Sequence, residues 1–137
     1  MGNTQILLIV LGMMIVGLAI AIGIILVREN AISSNRDAIA NDLANIAARA
    51  QQYYNTPAAM GGGGRSYLGL TADSVGMAKL IPSLSAHNSN GDYTIVRPGT
   101  TLQVVLQGVG KEVLSDGSYP TLICVVTPGN IAVTIDN

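Results

Sequence analysis

Residues 6–27 read ILLIVLGMMIVGLAIAIGIILV, and this stretch decides the fold. It contains 22 residues without a charged or polar side chain. A run of that length is long enough to cross a bilayer as one α-helix and is longer than a small soluble domain usually buries. Its length, and the absence of Lys and Arg before it, distinguish it from a cleaved signal peptide. The sequence therefore predicts a retained apolar helix over residues 1–27.

The residues after this run continue the helix with a different pattern. Apolar side chains recur at helical spacing along one face, and polar side chains occupy the others. No Pro or Gly interrupts the chain between residues 24 and 56. We therefore expect one helix over residues 3–54, roughly 75 Å long, whose residues 28–56 are amphipathic. The residues predicted to pack on the remainder of the chain are Ile32, Ile39, Leu43, Ile46, Ala50 and Tyr53.

A Pro and a glycine run follow the predicted helix. Asn55, Thr56 and Pro57 end it, because the residue before a proline disfavours helical geometry. Four glycines follow at Gly61, Gly62, Gly63 and Gly64. A phosphate-binding loop would need a strand before these glycines and Lys-Ser/Thr after them, whereas a helix precedes them. The segment formed by Pro57 and the four glycines is interpreted as a hinge that reverses the chain, with a flexible linker as the alternative.

Residues 57–137 are predicted to form a small β-rich head domain. Short strands are expected at residues 66–70, 93–97, 101–107, 121–127 and 131–135, with a helical turn at 74–80. Pro128 and Gly129 suit the central positions of a type II turn. Residues 83–91 read as a polar surface loop. The expected fold is α+β, an antiparallel sheet of about four strands packed on the lower half of the long helix.

The composition argues against catalysis and nucleic-acid binding. The net charge is −1, and only 11% of the residues are charged. One His and one Cys, His87 and Cys124, give neither a metal-ligand set nor a convincing nucleophile–base pair. Cys124 lies in LICVV and is interpreted as a small buried apolar residue, and His87 as a solvated loop residue. We expect no enzyme activity, cofactor, metal, nucleic-acid partner or small-molecule substrate.

Small residues are spaced four apart within the apolar run. Gly17 precedes Ala21, and Ala19 precedes Gly23, each by one helical turn. Such pairs allow neighbouring helices to approach closely, although Gly and Ala are also common in membrane helices for other reasons. Gly12, Gly17 and Gly23 also weaken a helix in water, by about 1 kcal/mol each.

This layout resembles that of type IV pilin-like filament subunits. The resemblance rests on the apolar helix with an uncharged start, its unbroken extension ending in AQQYYNTP (residues 50–57), and a small β head after a glycine-containing connection. It covers the whole architecture, while its sequence-specific part is limited to about the first 55 residues and the GGGG segment. Type IV pilins tend to carry a Glu near the start that pairs with the N-terminal amine of a neighbouring subunit. Gln5 stands there in this chain and offers a neutral acceptor.

The resemblance implies a structural subunit of a helical extracellular filament. Such subunits are held in the inner membrane before assembly, and their partners are identical copies. The residues assigned to self-assembly on this basis are Gln5, Gly12, Gly17, Ala19, Ala21 and Gly23. The alternatives are a single-pass membrane protein with a periplasmic or extracellular β domain, and a minor pseudopilin of a secretion system. Adhesion, motility and DNA uptake are not distinguished by these residues.

Overall fold

In the part of the chain that the structure describes, one long helix and one sheet make up nearly all of the regular structure. The computed structural model describes residues 2–82 and 86–137. Helix α1 spans Gly2–Asn55, and the short helix α2 spans Ser74–Ala78. The four strands are β1 (Gly91–Arg97), β2 (Val104–Gly110), β3 (Thr121–Thr127) and β4 (Asn130–Ile135). They form an antiparallel sheet in the order β1-β2-β3-β4. The α+β fold predicted from the sequence is confirmed.

Helix α1 is divided between a free half and a packed half. Among residues 2–38 none is fully buried, and the first buried residue is Ile39. From Ile39 onwards the apolar stripe faces β2, β3 and β4. At about 1.5 Å per residue, α1 is about 80 Å long, so the head covers less than half of it. The core comprises buried side chains from α1, from the 67–81 segment and from the inner face of the sheet, including Leu43, Tyr67, Leu70, Met77, Tyr93, Leu106, Cys124 and Val126.

The sheet approaches α1 closely at Gly108. A Cβ atom added at Gly108 would lie 2.6 Å from Cγ2 of Ile39 and 3.1 Å from the Tyr93 ring. Such contacts are too short for any side chain, so glycine is required at this position of β2. The absence of a side chain at Gly108 lets the sheet and α1 approach each other here.

Three local predictions are wrong. Residues 66–70 form a turn rather than a strand, in which the Leu70 amide donates to the Tyr67 carbonyl at 2.9 Å. The second strand begins at Val104 instead of Thr101, because the Thr100 side chain accepts hydrogen bonds from the amides of the two residues before Val104. Gly129 does not have the positive φ that a type II turn requires, although Pro128 and Gly129 do form the two-residue connection between β3 and β4.

Other predictions agree with the structure. The helix at Gly2–Asn55 matches the expected 3–54, and β3 has the expected bounds. α2 falls within the predicted helical turn and begins after Asp73, whose carboxylate accepts the Gly76 amide at 2.8 Å. Part of the predicted 83–91 loop, residues 83–85, lies outside the described residues.

Candidate assembly surface and helix–head junction

The apolar half of α1 is exposed along its whole length. Every Ile, Leu, Val and Met side chain between residues 6 and 27 is at least 49% exposed. The most apolar window of α1 has a mean hydropathy of 2.9, and none of it is buried within the chain. By length and composition this helix can cross a membrane. In either a lipid or a protein environment, a second surface must cover it, because water solvates it poorly.

The residues assigned to self-assembly fall on two sides of this exposed helix. At about 100° per residue, Gln5, Gly12, Ala19 and Gly23 lie within one narrow sector. Gly17 and Ala21 lie on the opposite side by the same geometry. A Cβ atom added at any of the three glycines would meet nothing within 4 Å. Both small-residue faces are therefore open to a neighbouring helix in the single chain.

The residues assigned to helix–head packing are not all placed alike. Ile39, Leu43, Ile46 and Ala50 belong to the core cluster. Tyr53 is half-buried and packs against that cluster. Ile32 is half-buried and lies outside the cluster. Ala47 is fully buried and was not singled out from the sequence, because an alanine adds little to an apolar stripe among the many alanines of this helix.

A polar junction, formed by Asp42, Asn88, Asn90 and Tyr93, joins α1 to the head. Oδ2 of Asp42 accepts hydrogen bonds from the Tyr93 hydroxyl at 2.5 Å, from Nδ2 of Asn88 at 2.9 Å and from Nδ2 of Asn90 at 3.0 Å. The Asn88 side chain also accepts the amides of Asn90 and Gly91 and so holds the 88–91 turn in place. One carboxylate oxygen on the helix therefore fixes the register of a turn and of strand β1.

A second polar contact lies two helical turns closer to the N-terminus. Nδ2 of Asn35 donates to the Asn90 carbonyl at 2.8 Å, and Oδ1 of Asn35 accepts the Lys111 amide at 3.2 Å. Nζ of Lys111 donates to the Asn88 carbonyl at 2.5 Å. These bonds connect the 88–91 turn, the end of β2 and α1. The head is therefore held to the helix by polar contacts above the apolar core as well as by the core itself.

The junction shifts the pKa values of both its ionisable groups. Burial acts to raise the pKa of the Asp42 carboxyl, but the hydrogen bonds from Asn90, Tyr93 and Asn88 outweigh it and hold that pKa below its ordinary value. The pKa of the Tyr93 phenol is raised, first by burial and then by the hydrogen bond to the Asp42 carboxylate. At neutral pH the pair is therefore a carboxylate accepting from a neutral phenol, which is the arrangement that stabilises the junction.

Replacing Asp42 by Asn is expected to lower the free energy of unfolding at pH 7 by about 1–3 kcal/mol, because three donors lose a charged acceptor. The pKa of the Asp42 carboxyl is lower in the folded state than in the unfolded state, where it is about 4. The ionised carboxyl therefore stabilises the fold fully above about pH 4, and this stabilisation is lost as the pH falls through the pKa of the folded state. The difference between Asp42→Asn and the parent should therefore vanish in strong acid. The difference in unfolding free energy is measured by denaturant unfolding of the detergent-solubilised chain between pH 2 and 7, followed by circular dichroism.

Asp37→Asn is the matched control for this experiment. Asp37 is an exposed aspartate on the same helix, and its replacement removes the same charge. If Asp37→Asn and Asp42→Asn changed the unfolding free energy equally at every pH, the junction would contribute nothing beyond net charge.

The glycine run folds back on the end of α1. The Gly63 amide donates to the Tyr53 carbonyl at 2.8 Å, and the Arg65 amide donates to the Tyr54 carbonyl at 2.8 Å. A side chain at Gly63 would collide with the Tyr53 ring and the Ser66 carbonyl. These bonds satisfy carbonyls that the last turn of a helix leaves unpaired. The run is therefore a tight reversal rather than a free linker.

Two features of the described residues bear on chemistry, a buried thiol and an exposed His–Asp pair. Burial raises the pKa of the Cys124 thiol to about 11, so the thiol is protonated at neutral pH. Nδ1 of His87 lies 2.9 Å from Oδ1 of Asp92, and both side chains are exposed. In residues 2–82 and 86–137, no three His, Cys, Asp or Glu side chains lie close enough together to hold a metal ion.

Comparisons of the chain with protein-family profiles, with curated proteins and with solved structures each found no match.

Proposed function

We propose that this chain is a structural subunit of a helical, type IV pilus-like extracellular filament. The observation that carries the proposal is the exposed apolar surface of residues 6–27, on a helix whose other half is fixed in a folded head. The proposed partners are identical subunits and, before assembly, the inner membrane. No nucleic acid, cofactor or small-molecule substrate is part of the proposal, and neither is catalysis.

Burial of the apolar helices would drive the assembly. A 22-residue apolar helix exposes on the order of 2,000 Å² of apolar surface, and at about 25 cal/mol per Å² its removal from water is worth tens of kcal/mol. Immobilising the subunit opposes part of this gain. In a bundle of such helices the core of the filament takes over the role that lipid tails have before assembly.

The two small-residue faces support a continuing array rather than a closed dimer. The face that contains Gly12, Ala19 and Gly23 is opposite the face that contains Gly17 and Ala21. Each helix can therefore contact one neighbour closely on either side. When unlike faces pair, the helix at one end of the array keeps its first face free and the helix at the other end keeps its second face free. Further subunits can therefore join at both ends.

A second candidate is a single-pass membrane protein that carries its head outside the bilayer, either on its own or as a minor pseudopilin. The length of the apolar run favours it, since 22 helical residues span about 33 Å and the hydrocarbon core of a bilayer is about 30 Å thick. Arg28 and Glu29 follow the run at the level of the headgroups under this arrangement.

Electron microscopy and sedimentation of material isolated without detergent test the two candidates. A filament subunit should sediment and show fibres of uniform diameter in the absence of detergent. A single-pass protein should remain in the membrane fraction, should require detergent for dispersion and should show no fibres. Native material that contained no fibres under any growth condition would contradict the filament proposal.

Replacing Ala19 or Gly23 by Leu is expected to impair filament formation. Each change adds bulk on the same helix face, where close approach is proposed, and overpacking typically costs about 1–3 kcal/mol per site. Ile22→Leu is the matched control, because it conserves volume and lies off both small-residue faces. The measurement is the pelletable fraction and the fibre count at equal expression. Normal filaments from both bulky variants would show that the small residues do not form helix contacts.

A further inference from the structure

The head has two ends that differ in charge. The distal end consists of segments 57–70 and 98–103 and lies beyond the last turn of α1, where the Arg65 amide bonds the Tyr54 carbonyl. The proximal end consists of residues 111–120 and 135–137 and lies beside residue 35 of α1, whose side chain accepts the Lys111 amide. Strand β2 separates the two ends by about 20 Å at about 3.4 Å per residue.

The distal end is basic and carries exposed apolar side chains. Its two segments are joined by hydrogen bonds from the Tyr67 amide to the Thr100 carbonyl at 3.0 Å and from the Gly99 amide to the Leu70 carbonyl at 2.8 Å.

Two exposed arginines lie at the distal end: Arg65 within it, and Arg97 at the adjoining end of β1. The two segments contain no acidic residue. Leu68 and Leu102, one from each segment, are 62% and 65% exposed.

The proximal end is acidic and also carries exposed apolar side chains. Glu112, Asp116 and Asp136 are exposed there, against a single cation, Lys111. The two segments are tied together by a hydrogen bond from Nδ2 of Asn137 to Oγ of Ser118 at 2.7 Å. The exposed apolar side chains at this end are Val113, Tyr119 and Ile135.

We infer that the distal end of one head docks against the proximal end of the next copy in the filament. The inference rests on the proposed filament and names the contact that its heads make. Parallel copies displaced along one axis necessarily turn unlike ends toward each other, and this produces a non-closing array. Opposite charges around a small apolar centre are the arrangement typical of specific interfaces. Contact between like ends would place Arg65 and Arg97 against the same residues of another copy, which disfavours antiparallel packing.

Charge reversal at each end tests the contact. The distal variant combines Arg65→Glu with Arg97→Glu, and the proximal variant combines Glu112→Lys with Asp116→Lys. Each variant alone would present like charges at every head contact, and its filament yield should fall about tenfold. A chain with all four changes has its polarity inverted and should assemble again, as should an equal mixture of the two variants. The melting temperature of the head, measured in detergent, controls for folding.

A crosslinking measurement provides a second readout. Chains with Leu102→Cys and chains with Tyr119→Cys are mixed before assembly, and the resulting filaments are treated with a short bismaleimide. Crosslinked dimers should form in the mixture and not in filaments of either variant alone. Cys124 is buried, so it provides an internal background that is equal in all samples.

The outcomes separate this inference from the proposed function. Wild-type chain that forms no filaments would overturn the proposed function. Wild-type filaments together with normal assembly of both charge variants would overturn the docking of the heads and leave the filament intact. Failure of the four-change chain to recover, with its head still folded, would also overturn the docking, because the two charged ends would then act independently.

Discussion

Removal of residues 1–27 is expected to abolish both membrane association and fibre formation while leaving a folded head. No core residue lies within residues 2–27, since the first core residue is Ile39. The bonds of Asn35 and Asp42 to the head are also retained in the shortened chain. The truncated protein should therefore be soluble and monomeric, with the circular dichroism and cooperative melting of an α+β domain. Size-exclusion chromatography and electron microscopy measure the loss of assembly.

A variant that keeps the hydropathy and removes the small residues is the matched control. It replaces Gly12, Gly17, Ala19, Ala21 and Gly23 by Leu. This chain should remain in the membrane fraction, because its apolar run is as long as before. It should form no fibres, because neighbouring helices can no longer approach closely. Fibres of native diameter from the truncated chain would show that the head drives assembly and that burial of the apolar helix does not.

The sequence predicted the helix and most of the sheet because strong periodic signals mark them. An uninterrupted apolar run, followed by apolar side chains at helical spacing with no Pro or Gly between residues 24 and 56, predicts one long helix. β3 was predicted with its observed bounds, since its β-branched residues end at a Pro-Gly pair. The start of β2 was predicted too early, at Thr101. The Thr100 side chain holds the residues that follow it in a turn, so the strand begins only at Val104.

Contacts between distant residues could not be read from the sequence. The polar junction joins Asp42 to three residues more than 45 positions away, and nothing in the local pattern around Asp42 marks it. The composition of the distal end has the same origin, because its segments 57–70 and 98–103 are joined through the turn at Tyr67, whose amide donates to the Thr100 carbonyl. That turn was predicted as a strand, since local propensity does not report the hydrogen bonds to Gly99 and Thr100.

Replacement of Leu43 by Ala is expected to lower the free energy of unfolding of the head by about 2–5 kcal/mol. Leu43 is fully buried in the core, where α1 meets the sheet. Its truncation leaves a cavity that the surrounding side chains fill only in part. A domain of this size has a total stability of only about 5–15 kcal/mol, so the variant should melt at a markedly lower temperature.

Leu26→Ala makes the same chemical change on the same helix at a residue that is 54% exposed in the single chain. In detergent this control should melt as the parent does, because no core contact is lost. In filaments the two variants should differ in which part of the protein they weaken. Leu26→Ala should weaken assembly without weakening the head, whereas Leu43→Ala should weaken the head first and assembly only through it. Denaturant unfolding in detergent and thermal disassembly of filaments measure the two effects separately.

Equal unfolding free energies for the Leu43→Ala and Leu26→Ala variants in detergent would show that α1 does not stabilise the head through Leu43. The division of α1 into a half that folds the head and a half that awaits a partner would then be wrong.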